Sequence, residues 1–103
     1  MATQLDKEGF VINLDEWSPA VADDIASREG IVLTPAHWEI LNEVRRYHDE
    51  FGLSPINRTL VKRIASLLGP DKGNSIYLLG LFPGSPARLA CKIAGLPKPT
   101  NCL

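Results

Sequence analysis

Residues 34–52 read Thr34-Pro35-Ala36-His37-Trp38-Glu39-Ile40-Leu41-Asn42-Glu43-Val44-Arg45-Arg46-Tyr47-His48-Asp49-Glu50-Phe51-Gly52. A hydroxyl residue ahead of a proline is a helix start: the side chain can accept an orphan backbone N–H, and proline suits the first helical position. Trp38, Leu41, Val44, Tyr47 and Phe51 then recur at helical spacing, and Gly52 ends the run. Glu39, Glu43, Arg46 and Glu50 mark the opposite, outer face. The stretch predicts a long amphipathic helix, and its start signal becomes a template for the rest of the chain.

The same punctuation occurs at Ser18-Pro19, Ser54-Pro55 and Ser85-Pro86, which predicts three more helix starts. The first of these helices runs from about Pro19 to Arg28 and stops at Gly30, with Val21 and Ile25 on one face. The next carries Ile56, Leu60, Ile64 and Leu67 inward and Arg58, Lys62 and Arg63 outward, up to Gly69-Pro70. A short helix fits Asn74–Leu81, and a last one runs from Pro86 to about Ala94. Ahead of the helices, the turn signal Asp6-Lys7-Glu8-Gly9 beside Phe10-Val11-Ile12 predicts a small hairpin. The expected fold class is mostly α (α+β): a single domain over residues 1–103, with a hairpin over 2–13, a helical core over 19–94 and an arm over 95–103. Two prolines, Pro97 and Pro99, keep that arm extended and remove two backbone donors.

The chain has 103 residues, enough for one core and too few for two. Eleven basic against twelve acidic residues give a formal charge of −1, so no global basic field argues for nucleic acid or an anionic membrane. The N-terminus lacks the basic and apolar regions of an export signal, and no run is long and apolar enough to span a bilayer. The expectation is a soluble, cytoplasmic protein without membrane insertion. In that compartment two cysteines are read as chemistry before scaffold.

Cys102 stands one residue from the end of the sequence, where packing gives a thiol little purpose. Cys91, inside the last helix, has the position of a small buried hydrophobe. The arm from Gly95 reaches at most about 23 Å and Cys91 lies about 6 Å back along its helix, so contact between the two thiols is allowed and not forced. A thiolate on an extended arm can attack a donor's sulfane sulfur, hold it as a persulfide and present it inside a partner's cleft. A second thiol could then resolve the loaded one as a disulfide, expelling sulfide, or, with a two-electron oxidant, share the extra sulfur as a trisulfide. Arg88, Lys92 and Lys98 are near enough in sequence to favour a thiolate, and the Leu103 carboxylate opposes it.

Lys72-Gly73-Asn74-Ser75, Tyr77-Leu78, Leu81-Phe82-Pro83 and the run from Ala90 to Leu103, with its penultimate cysteine behind Gly95-Leu96-Pro97-Lys98-Pro99, resemble the DsrC/TusE family. The segment Leu33-Thr34-Pro35-Ala36-His37-Trp38 is similar to the stretch before that family's long helix. The resemblance implies a small orthogonal helical bundle with a helix-turn-helix-like core, an N-terminal hairpin and a mobile C-terminal arm. It implies that Cys102 bears sulfur, and that Cys91 marks the DsrC branch serving dissimilatory sulfite reductase, since TusE-type relays for tRNA thiolation usually lack it. The implied partners are dissimilatory sulfite reductase, upstream sulfurtransferases and a heterodisulfide-reductase-type membrane complex that recycles the cysteine pair. The protein would act as a co-substrate without a cofactor of its own, and not as a stand-alone enzyme. Ile76, Leu79, Leu89 and Asn101 depart from the family pattern, where a basic residue, an aromatic, Gln and Gly are usual.

Three further signals bear on function. His37 and His48 are eleven apart on one helix, about 16 Å along the axis, too far to share a metal, and are expected at the surface or an interface; no spacing motif completes a zinc site around the cysteines. Trp17, Trp38 and Tyr47 are expected in the core instead of forming a base-stacking platform. The face formed by Arg58, Lys62 and Arg63 on a helix-turn-helix-like core leaves a DNA-binding regulator as the alternative outside sulfur chemistry.

Overall fold

Each α-helix begins after a residue with extended, β-region backbone, and two of them are capped by that residue's own side chain. In the computed structural model, which describes residues 4–99, α1 spans Pro19–Arg28, α2 Pro35–Phe51, α3 Asn57–Leu68, α4 Ser75–Leu81 and α5 Pro86–Ile93. Ser18 Oγ accepts the Val21 N–H at 3.4 Å, and Asn74 Oδ1 accepts the Tyr77 N–H at 2.8 Å, each satisfying an orphan donor of a first turn. At α2 the third helical residue returns the favour: His37 Nδ1 accepts the Thr34 N–H at 3.1 Å, while its Nε2 lies 2.9 Å from the Leu81 carbonyl. The tautomer with the proton on Nε2 satisfies both. His37 is thus buried as a tie between α2 and α4, where the sequence reading expected a residue at the surface or an interface.

Ser54-Pro55 does not start α3. The helix begins at Asn57 with Ile56 as N-cap, and Ser54 is buried with its hydroxyl donating to the Pro97 carbonyl at 2.6 Å. A serine before proline is equally an extended corner, and here a tertiary acceptor takes the hydroxyl. The start of α5 is capped from outside its own chain segment, since Asn57 Oδ1 accepts the Ala87 N–H at 2.8 Å.

The hairpin expected over 2–13 is reduced, among the described residues, to one antiparallel bridge between Leu5 and Val11. Asp6 explains why: its carboxylate accepts the N–H groups of Glu8 and Phe10, both at 2.9 Å, in place of a strand partner. Phe10 and Val11 are both buried, which strand alternation on a one-sided ribbon does not permit. A single 3₁₀ turn, Leu14–Glu16, leads into α1.

The core gathers around α5, which packs against α1, α2, α3 and α4. Ala87, Ala90 and Ala94 keep its surface small, so neighbours approach closely, and Leu89, Cys91 and Ile93 fill the space between. Opposite α5, the α3–α4 connection passes so near α3 that a Cβ on Gly73 would lie 2.1 Å from the Ala65 nitrogen, which restricts that position to glycine. Lys72 beside it bonds Glu39 of α2 at 2.7 Å, and that carboxylate holds the lysine pKa above its usual value. Among the described residues no helix is long and apolar enough to cross a membrane.

Candidate functional site

Cys91 lies on α5 with no exposed surface, within the central cluster. Its carbonyl oxygen begins the arm: the Leu96 N–H donates to it at 2.9 Å while the Gly95 N–H donates to the Lys92 carbonyl at 3.3 Å. This paired pattern around a left-handed Gly95 (φ +77°) is a Schellman stop. A Cβ on Gly95 would sit 2.3 Å from Trp17 Cδ1, so the turn requires glycine for space as well as for φ.

The last carbonyls of α5 would otherwise be orphans. Trp17 Nε1–H donates to the Ile93 carbonyl at 2.8 Å, and the Arg45 guanidinium donates to that of Ala94. Arg45 in turn stacks 3.9 Å over the Trp17 ring, an arrangement in which cation and ring orient one another. The cation also suits the negative end of the α5 dipole. Trp17 meets Trp38 edge-on at 6.4 Å, and both pack, partly buried, against the core, while Tyr47, expected there too, packs on Phe51.

Beyond Gly95 the chain is fastened to the body. Leu96 and Pro99 are buried, Ser54 holds the Pro97 carbonyl, and Lys98 Nζ lies 2.9 Å from Glu8 Oε2. Arg88 reaches the same Glu8 oxygen at 2.9 Å. The hydrogen bond from Lys98 first, and that from Arg88 second, hold the Glu8 carboxyl below its usual pKa. Lys92 turns to Glu29 at 3.5 Å. The three cations that sequence proximity offered to a thiolate are therefore engaged with carboxylates, and residues 95–99, the root of the expected arm, are fastened to the body. Cys102 and the arm beyond Pro99 lie outside the described residues.

The expected basic face divides. Arg63 lies 3.6 Å from Glu43 and 3.4 Å from Glu50 on α2, and stands over the Tyr47 ring. Glu43, assigned to the outer face by its spacing, is buried against it, and also takes Arg46 at 2.6 Å. Glu43 Oε1 and Arg63 Nε make no hydrogen bond among the described residues, so their attraction is a charge pair across the α2–α3 contact. Only Arg58 and Lys62 of that face stay exposed. Sequence reasoning missed Glu8, Trp17, Arg45 and Ser54, which hold the root of the arm; no local pattern links them to it.

The helical fold described above matches that of solved DsrC structures. The NMR structure of Allochromatium vinosum DsrC superposes with a TM-score of 0.89 at 46% identity, over 98% of this chain and 90% of that one. The crystal structure of the oxidized gamma-subunit of the dissimilatory sulfite reductase (DsrC) from Archaeoglobus fulgidus gives 0.84 at 40%, over 98% and 92%. Sulfurtransferase TusE of Sodalis glossinidius is 50% identical over 98 residues, 95% of this chain and 91% of the relative. The Sulfurtransferase TusE homolog of Haemophilus influenzae is 49% identical over 100 residues, 97% and 92%. The family described as DsrC like protein matches residues 1–103. The chain belongs to this family of sulfur carriers and sulfurtransferases.

Proposed function

We propose that this chain is a sulfur carrier of the TusE kind, accepting sulfur on Cys102 and passing it along a relay toward tRNA 2-thiouridine, in the cytoplasm and in company with other sulfurtransferases. The observation that carries this reading is the near-full-length match, at about half identity, to proteins named sulfurtransferase TusE; the two solved DsrC structures named above match at 46% and 40%. This reverses the weight that Cys91 gave to the sulfite reductase branch.

In the loading step the Cys102 thiolate attacks the outer sulfur of a donor persulfide. A new bond forms between Cys102 Sγ and that sulfur, the donor's S–S bond breaks, and the donor leaves as a thiolate. The transfer is redox-neutral. Unloading repeats it in the other direction, with the acceptor's thiolate attacking the outer sulfur. Neither step uses Cys91, which agrees with a thiol closed inside the core.

Complementation of a strain lacking TusE, read as 2-thiouridine content of its tRNA, tests this. Wild type and Cys91→Ala restore the modification and Cys102→Ser does not. A second reading, service to dissimilatory sulfite reductase, is favoured by the presence of Cys91 as a second thiol; it predicts that wild type fails to restore the modification, and that Cys91 attacks the inner sulfur of loaded Cys102, releasing the outer sulfur as sulfide and leaving a reducible disulfide.

A further inference from the structure

All eleven basic residues of the chain lie within the described segment. Eight meet a carboxylate or a backbone carbonyl there. The other three, without such a partner among the described residues, are Lys7, alone in the first turn, and Arg58 with Lys62. Those last two stand four apart on one exposed face of α3, one helical turn from each other. In a chain with more acids than bases, two neighbouring cations left unmatched mark a surface whose counter-charge comes from elsewhere.

They border an apolar cleft. Asn57 and Val61 of α3, Leu78 and Leu79 of α4, and Gly84 and Pro86 at the entry to α5 enclose about 170 Å³, and a shallower extension runs past Arg58 and Lys62. No Asp or Glu lines either part. On the α4 rim, Ile76 is 85% exposed and Leu79 42%; three apart, they share one helical face. A large exposed apolar pair beside a cleft marks a surface for recognition.

We propose that this α3–α4 face docks an acidic amphipathic helix of a partner protein, with carboxylates one turn apart on Arg58 and Lys62 and an apolar side chain against Val61 and Leu79. Charge and hydrophobicity together choose this occupant. A nucleic acid would satisfy the cations and leave Ile76 and Leu79 facing phosphates, and the third cation it would need, Arg63, is taken by Glu43 and Glu50. The cleft opens at the start of α5 and the arm leaves from its end, about 12 Å along the axis. A helix seated there holds the partner within reach of the arm without covering the arm's root. The inference stands whatever Cys102 carries.

The test titrates the full chain, followed by amide NMR, with a short helical peptide of Ala, Leu and Glu bearing glutamates four apart beside leucine, with its Lys-for-Glu counterpart, and with an RNA hairpin. The glutamate peptide shifts the Val61, Leu79 and Gly84 amides with a dissociation constant below about 1 mM at low salt. Binding weakens about tenfold in Arg58→Glu/Lys62→Glu and in Ile76→Ser/Leu79→Ser; all four sites are at the surface, so the fold is retained. The proposal is overturned if these amides stay still at millimolar peptide, if the lysine peptide shifts them equally, or if the RNA hairpin alone moves them.

Discussion

Glu8 Oε2 accepts from Lys98 Nζ at 2.9 Å, tying the first turn of the chain to the arm that leads to Cys102. Arg88 shares the carboxylate and adds α5 to the tie. The two cations hold the Glu8 pKa below its usual value, Lys98 contributing most. A depressed carboxyl supports the tie above the ordinary carboxylate range, and the support disappears as pH falls through the folded pKa. The Lys98 amide resonance should therefore move with a midpoint below the ordinary value of about 4.3, and Glu8→Gln should abolish that movement. A Lys98 resonance indifferent to Glu8 would mean that the tie is not held in solution.

Gly95 is required twice, by φ and by Trp17. Gly95→Ala must adopt a left-handed backbone and push the indole away. We expect a loss of about 2 kcal/mol in urea unfolding. A loss below about 0.5 kcal/mol would show that the Schellman turn yields easily.

Trp17→Phe keeps a ring under Arg45 and removes the donor to the Ile93 carbonyl. A buried acceptor left without its bond costs about 1–3 kcal/mol. Thermal unfolding should report a destabilised protein with unchanged helical content; wild-type stability would mean that another donor reaches that carbonyl.

Cys91 has no exposed surface, so iodoacetamide should modify it only when α5 opens, orders of magnitude more slowly than in denatured protein. Cys91→Ala should fold and lose about 1 kcal/mol, which makes it the variant of choice for sulfur assays. Prompt alkylation of Cys91 in the native protein would sink the inert-thiol reading and favour a resolving one.

The helices were legible because their signals are local. Hydroxyl–proline pairs and glycine stops placed α1 at the observed Pro19–Arg28, and α2 within a residue of its ends. The pair at Ser54 misled because its hydroxyl serves a tertiary partner, Pro97. Glu43 and His37 were misjudged for the same reason: each is polar by composition and buried by a partner on another helix, Arg63 and the Leu81 carbonyl. Phe51 and Leu67 continue the apolar stripes of α2 and α3, yet both remain exposed. The residues that hold the arm's root come from four separate segments, and periodicity carries nothing about such a meeting. The thiols themselves could be picked out by position alone.

On the proposed reading Cys102 carries sulfur, and does so without Cys91. Intact mass, measured after incubation with a small-molecule persulfide donor, decides this. Wild type and Cys91→Ala should each gain about 32 Da, removable by reductant, and Cys102→Ser should gain nothing. Uptake that survives Cys102→Ser, or that vanishes in a folded Cys91→Ala, would mean that Cys102 is not an independent sulfur carrier.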